Sequence, residues 1–297
     1  MNSPLLSICI PTYNRAEVLN RTLHNLLTNP DFDANKIEII VSDNCSGDHT
    51  AQVVANYPSV QYLRNEHNIV DRNFTVVLNH ARGRYIRLFN DTLTFKEGAL
   101  ARMLTIIESE IDKNRNLFIY GSAIKDAWGV KTLHTKVDFL KSVSFQSTWI
   151  ANFGCWRESF EQINNKDRSA DTQFLQVDWS FRIVDNGKPT IIYSESFFTV
   201  ETPKNKGGYN IFNTFVNKYL GLVKAEGLPL MVYEFEKYRL FRYFVFSWIY
   251  ILLINSKDEY CFETRNVWNI IFKKYWYEPY LYFLLLVLWM KKVKIIK

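Results

Sequence analysis

Between residues 5 and 107 the chain repeats one pattern: a short apolar run, a polar stop, then a stretch whose apolar residues recur every three or four positions. A parallel sheet covered by helices on both faces accommodates that alternation, because its strands are buried on both sides and read as continuous apolar runs. The run from Leu5 to Ile10 predicts a first strand, stopped by Pro11, and Ala16 to Leu27 predicts a helix through Val18, Leu19, Leu23, Leu26 and Leu27. Strands are predicted again from Ile37 to Val41, Val60 to Leu63 and Tyr85 to Phe89. Helices are predicted from Ser46 to Asn56, with Asp48 in the first turn, then from Asp71 to Ala81 and from Gly98 to Ile107. The fold class is therefore α/β.

In open sheets of this kind, ligands bind beyond the carboxyl ends of the strands. Each predicted strand ends in polar residues: Pro11-Thr12-Tyr13-Asn14-Arg15, Ser42-Asp43-Asn44, Asn65 to Asn68, and Asn90-Asp91. One such edge is ordinary turn and cap chemistry. Four facing one crevice point to a ligand site.

Further along, Leu117 to Tyr120 and Thr190 to Tyr193 predict strands, and Thr172 to Asp185 predicts a helix capped by Asp171 or Ser169 and ended by Asn186-Gly187. Thr202 to Tyr209, with adjacent glycines and two lysines, predicts a mobile loop. The four cysteines have no metal or redox spacing and are expected to be reduced, with Cys9 packed in the core. No signal peptide precedes the first strand, which predicts a cytoplasmic body.

Composition matters mainly through its distribution. The 297 residues are 47% apolar and 22% charged, and carry 36 basic against 30 acidic side chains, a net charge of +6. Residues 231–297 hold 11 of the basic and 6 of the acidic groups, together with many aromatics, so the excess charge belongs to the tail. The near-neutral body argues against nucleic acid as a partner. The apolar runs from Tyr243 to Ile254 and from Pro279 to Met290 are short of the roughly 18–20 residues of a spanning helix. With clustered lysines at 291, 292 and 294, they predict helices lying on an anionic membrane surface.

The blocks from Leu6 to Arg15, from Glu38 to Asn44 with Ser46, Asp48 and Thr50, Asn68-Ile69 with Asp71 to Phe74, and Gly83 to Ile86 resemble the family 2 glycosyltransferases of the GT-A fold. Within that family they are most similar to bacterial enzymes of O-antigen or capsule assembly, of the abequosyltransferase or rhamnosyltransferase kind. The resemblance implies a Rossmann-like nucleotide-sugar transferase domain with a C-terminal helical extension. Its parts would be a nucleotide-sugar-binding half at 1–110, an acceptor-binding half at 111–230, and a helical tail at 231–297 in peripheral contact with the inner face of the cell membrane. The implied partners are a nucleotide-sugar donor and a lipid-linked or oligosaccharide acceptor.

For the donor, the resemblance places Asp43 against base or ribose, with Pro11, Thr12 and Tyr13 along them. Arg15, Asn68, Arg72, Asn90 and Asp91 complete the donor set, the arginines suiting phosphate. The family's Asp-x-Asp motif holds Mg²⁺ or Mn²⁺. Here Asp91 alone remains as a metal ligand in either register of that motif, one setting Leu93 at the last Asp and the other setting Phe89 at the first Asn of an Asn-Asn-Asp-Thr version, and metal dependence is open. The position of the family's catalytic base falls on Gln176, which cannot take a proton, so Asp178 and then Asp171 are the candidate bases of an inverting transfer. The substitutions at Leu93 and Gln176 also admit a second reading, a catalytically weakened scaffold in a glycan-assembly complex. A dinucleotide oxidoreductase is disfavoured, since no glycine-rich turn follows the first strand.

Overall fold

The computed structural model describes residues 3–121, 128–201, 206–254 and 260–292. It divides into two compact units, Met1–Pro203 and Lys204–Lys297. The division after 230 expected from sequence falls inside the second unit, within the first turn of a helix that begins at Leu230.

The first unit opens with β1 (Leu6–Thr12), α1 (Ala16–Leu27), β2 (Ile37–Asp43), α2 (Thr50–Ala55), β3 (Gln61–Arg64), α3 (Arg72–Asn79) and β4 (Tyr85–Leu88). β5 (Leu93–Phe95), α4 (Ala99–Glu110), β6 (Asn116–Gly121), β7 (Gly129–Leu133), α5 (Lys136–Val143), β8 (Gly154–Trp156) and α6 (Arg157–Glu161) follow. The unit closes with α7 (Leu175–Val184), β9 (Thr190–Glu195) and β10 (Phe198–Val200). The main sheet has the order β3-β2-β1-β4-β8, parallel except for β8. A second sheet, β6-β9-β7, pairs β6 with β9 in parallel and β7 with β9 antiparallel. Leu6, Ile8 and Ile10 of β1 share one core cluster with Leu19, Leu23 and Leu26 of α1 and Leu100, Met103 and Ile107 of α4. Each such side chain contributes about 1.5–3 kcal/mol when fully buried.

Three sequence expectations are corrected. Pro11 lies within β1, in register with Ser42, rather than ending it. The β1–β4 ladder stops at Cys9 and Leu88, so the missing Pro11 N–H costs no ladder bond on that side. α2 starts at Thr50 rather than Ser46, because the Asp48 carboxylate accepts from Thr50 N and caps α1 across space at Ala16 N (3.0 Å). α7 starts at Leu175, so neither Asp171 nor Ser169 caps it. Gln173 adopts a left-handed φ of 68°, which separates the short turn Ala170–Thr172 from the helix. All four cysteines are free thiols, with Cys9 fully buried.

One close approach fixes β1 against the turn before β4. Gly83 N donates to Ser7 Oγ (2.8 Å), and a Cβ on Gly83 would stand 2.6 Å from that oxygen and 2.7 Å from Ser7 N.

The second unit is mainly helical. The short strands β11 (Lys206–Gly207) and β12 (Tyr260–Cys261) pair, and a wide-turn π-helix at Asn213–Tyr219 leads into α8 (Leu220–Ala225). α9 (Leu230–Leu240) and α10 (Phe246–Ile249) alternate with further π-turns, and α11 (Val267–Tyr275) and α12 (Pro279–Lys292) complete the unit. Lys237 is fully buried, where Glu234, Glu278 and the Tyr277 hydroxyl surround its ammonium. No described helix is long and apolar enough to cross a membrane. Thr202 to Asn205 of the expected mobile loop, and Lys294 of the tail, lie outside the described residues.

Candidate donor site

The carboxyl ends of β1, β2 and β3 are adjacent, and two acidic clusters form there. In the first, Asp91 follows β4 with its side chain 4% exposed. Its Oδ2 accepts from Thr12 Oγ1 (3.0 Å) and its Oδ1 from Arg15 Nη1 (2.9 Å), while Thr22 Oγ1 donates to its backbone oxygen (2.7 Å). Burial raises the Asp91 pKa above the ordinary carboxylate range, opposed by the Arg15 charge. Next to it, Asn90 Oδ1 is buried without a hydrogen-bond donor.

The second cluster surrounds Asp43, which is wholly buried. Its Oδ1 accepts from Ser46 N (2.8 Å), and its Oδ2 from Tyr62 Oη (2.6 Å) and Arg64 Nη1 (2.7 Å). Arg64 reaches on to the Ser46 carbonyl (2.8 Å) while its side chain stays 41% exposed. Burial, then the Asp43 carboxylate, push the Tyr62 hydroxyl up to about 12, so it remains a donor. Tyr62 and Arg64 were not anticipated. The signal was their two-residue spacing on a strand in register with Val41 and Asp43, which places both on one face.

Between the clusters, the turn after β1 is fastened to the loop after β2. Asn14, at φ 52°, donates its N–H to Ser46 Oγ (2.8 Å), and its Oδ1 accepts from Gly47 N (2.7 Å). Tyr13 and Arg15 therefore project from a fixed turn, Tyr13 45% exposed. Asn68 Oδ1 accepts from Asn44 Nδ2 (2.8 Å) and Val70 N (2.9 Å), so Asn68 shapes the loop after β3. Buried Asn73 continues the amide network to Ser42 and Asn65. The Arg72 side chain is exposed at the start of α3.

The two candidate bases differ in setting. Asp178 is buried on α7, with Oδ1 bonded to Arg168 Nε (2.8 Å) and Nη2 (2.5 Å) and Oδ2 to Arg182 Nη1 (3.3 Å). Asp171 is exposed on the short turn before α7. The segment carrying both is tied to α3 where Thr75 Oγ1 donates to Asp167 Oδ1 (2.5 Å). Gln176 donates Nε2 to the Thr148 carbonyl (2.7 Å), and its Oε1 is buried without a donor.

A divalent ion held by an Asp-x-Asp pair does not fit these residues. Leu93, which one register of the resemblance sets at the position of the second carboxylate, is fully buried in the core. Both Asp91 side-chain oxygens are engaged by Thr12 and Arg15, and among the described residues no three His, Cys, Asp or Glu side chains gather as ligands. Asn90 Oδ1 is a neutral acceptor suited to a hydroxyl donor.

The family model for glycosyl transferase family 2 matches residues 7–162. The chain is 36% identical over 115 residues to the abequosyltransferase RfbV of Salmonella typhimurium, covering 36% of this chain and 34% of that protein. It is 31% identical over 107 residues to a Campylobacter jejuni GalNAc(5)-diNAcBac-PP-undecaprenol beta-1,3-glucosyltransferase, covering 34% of each. These matches span about a third of the length of the curated relatives. Among solved structures, Staphylococcus aureus TarS 1–349 in complex with UDP-GlcNAc superposes with a TM-score of 0.61 at 14% identity, over 90% of this chain and 80% of that one. The Pyrobaculum calidifontis mannosyltransferase PcManGT, in complex with GDP-Man and Mn²⁺, gives a TM-score of 0.56 at 16% identity, over 80% and 70%. At these identities the likeness shows a shared GT-A fold.

Proposed function

Because the chain belongs to glycosyl transferase family 2, we propose that it moves a sugar from a nucleotide donor to a growing bacterial surface glycan, with inversion at the anomeric carbon. The observation that carries this reading is the pair of clusters at adjacent strand ends, Thr12-Asp91-Arg15 and Asp43-Tyr62-Arg64, with the buried Asn90 acceptor left without a donor beside them. A nucleoside diphospho-sugar brings the matching chemistry: a planar base, ribose and sugar hydroxyls that donate, and a diphosphate that accepts. Tyr13 and Pro11 would flank the base and Arg64 would present its free guanidinium edge to it. Asn90 Oδ1 would accept from a hydroxyl, while Arg15 and Arg72 would face the diphosphate.

The acceptor hydroxyl attacks the anomeric carbon, the bond to the diphosphate oxygen breaks, and a carboxylate takes the hydroxyl proton. Asp171 is the better-placed base, because it is open to an incoming hydroxyl whereas both oxygens of Asp178 are bonded to arginines. By analogy with the undecaprenol-linked glycan named for the Campylobacter relative, the acceptor is lipid-linked and the enzyme works at the cytoplasmic face of the membrane. Exposed Trp268, Trp276, Tyr282, Phe283, Leu286 and Trp289 of α11, α12 and their link support that placement. So do Lys273 and Lys274 in the last turn of α11.

A thermal-shift and turnover panel of UDP-, GDP-, CDP- and dTDP-sugars tests the reading. At least one donor is expected to stabilise the protein and be consumed when an acceptor is supplied. Stabilisation without turnover of any donor would favour the scaffold reading, and neither effect would sink both.

A further inference from the structure

Position 93 and Arg15 together change how the donor's diphosphate is met. Leu93, which one register of the resemblance sets where a metal-binding family member carries its second carboxylate, pairs with Val200 and is sealed in the core. No side-chain movement short of unpacking β5 brings an oxygen there. Asp91 instead holds an internal cation, Arg15 Nη1, at 2.9 Å. The Arg15 side chain remains 44% exposed, so most of its five N–H groups face outward from a buried anchor. A divalent ion between two carboxylates and a guanidinium beside one carboxylate both sum to zero formal charge, and both direct positive density at a ligand. The guanidinium adds a planar fork that matches two phosphate oxygens.

We propose that the Arg15 guanidinium, anchored by Asp91, takes the place of the divalent ion at the donor diphosphate, so that donor binding requires no metal. This rests on the donor reading above. It is tested by calorimetric titration of UDP, GDP, CDP and dTDP in EDTA and in Mn²⁺, with electron paramagnetic resonance reporting Mn²⁺ uptake. The nucleotide that binds is expected to do so within about twofold in both buffers, below the tenfold that 1.4 kcal/mol represents. Arg15→Gln is expected to weaken it by about tenfold or more, the loss of a charged hydrogen bond, and Arg15→Lys to retain part of the affinity. Tightening of tenfold or more by Mn²⁺, or an unchanged affinity in a folded Arg15→Gln protein, would overturn the inference. Failure of all four nucleotides in both buffers would overturn the donor reading, and this inference with it.

A different observation carries a second proposal. In the second unit, a groove of about 490 Å³ lies between the π-helix Asn213–Tyr219 and α11. Asn213 and Asn217 line it from one helix and Asn269 and Lys273 from the other, each pair four residues apart on one face, with Asn266 at the N-cap of α11 beside them. Asn210 and Asn213 are engaged locally, through Asn210 Nδ2 to the Arg265 carbonyl (2.9 Å) and Asn217 Nδ2 to Asn213 Oδ1 (2.8 Å). Among the described residues, the side chains of Glu263, Arg265, Asn269 and Lys273 make no hydrogen bond or ion pair. Amides that each offer a donor beside an acceptor match the vicinal hydroxyls of a sugar.

We infer that this groove binds a saccharide. Saturation-transfer NMR with the methyl glycosides of glucose, galactose, mannose, rhamnose and N-acetylglucosamine tests it. At least one glycoside should show transfer that Asn269→Ala and Asn217→Ala each reduce at least about twofold, with nucleotide affinity unchanged. No transfer to any glycoside, transfer that neither variant alters, or a response to inorganic phosphate alone would overturn it.

Discussion

Asp171 and Asp178 respond differently to the same substitution, because one faces solvent and the other holds two guanidinium groups. Asp178→Asn removes the charge from a buried cluster and leaves Arg168 and Arg182 without their shared anion. Both guanidinium groups stay partly exposed and can turn to water, so the loss is about that of one charge-assisted hydrogen bond, about 1.5–3 kcal/mol, and the variant is expected to melt a few degrees lower. Asp171→Asn is expected to keep the parent melting temperature and lose turnover by about a hundredfold, the scale of general-base catalysis. Calorimetry and initial rates on the two variants check this, and full activity in Asp171→Asn would return the base to Asp178. At this scale the sequence revealed which residue types line the strand ends, but not their pairing. Asp43 was legible from its place after a strand, whereas Tyr62 and Arg64 were not, since a tyrosine and an arginine on a short edge strand look like ordinary surface until the register with β2 is known.

β1, β2 and β4 were legible because each is a nearly continuous buried apolar run, whereas the antiparallel edge strand β8, only three residues long, was not predicted. β7 escaped notice because Gly129 to Thr132 are exposed at a sheet edge and carry no apolar alternation. The start of α7 was misplaced because a left-handed Gln173 has no signature in composition. Two predictions belong to this scale. Gly83→Ala drives a methyl group against the β1 backbone at Ser7, a contact that only a backbone shift relieves, and is expected to cost about 1–3 kcal/mol in denaturant melts. Glu110, buried at the end of α4, accepts from Arg115, Lys113 and Tyr193 and so ties the helix to β6 and β9. Burial works against its ionisation, but those hydrogen bonds and the Arg115 charge win and hold its pKa below the ordinary 4.5. A depressed folded-state pKa gives stability that is present above the unfolded value and lost as pH falls through the folded one. Glu110→Gln is therefore expected to melt below the parent at pH 7, with the gap narrowing as pH drops below about 4.5. A gap constant from pH 7 to pH 3 would contradict the ion-pair account.

For the whole molecule, the uneven charge along the sequence has a structural counterpart in the second unit, where most of the exposed large apolar side chains of the described residues lie. Vesicles of phosphatidylglycerol are expected to sediment the protein and vesicles of phosphatidylcholine to do so weakly. Trp276→Ala with Trp289→Ala should reduce binding to both, and raised salt should reduce only the first. Equal binding to both lipids at all salt concentrations would remove the electrostatic part of the argument. The exposed aromatic surface of α11 and α12 also bears on kinetics. Under the proposed placement on the bilayer, the enzyme would meet lipid-linked acceptors by lateral diffusion, so its rate should follow the acceptor's mole fraction in the lipid. Adding inert lipid at constant total acceptor should slow it by surface dilution, although nothing in the bulk solution has changed.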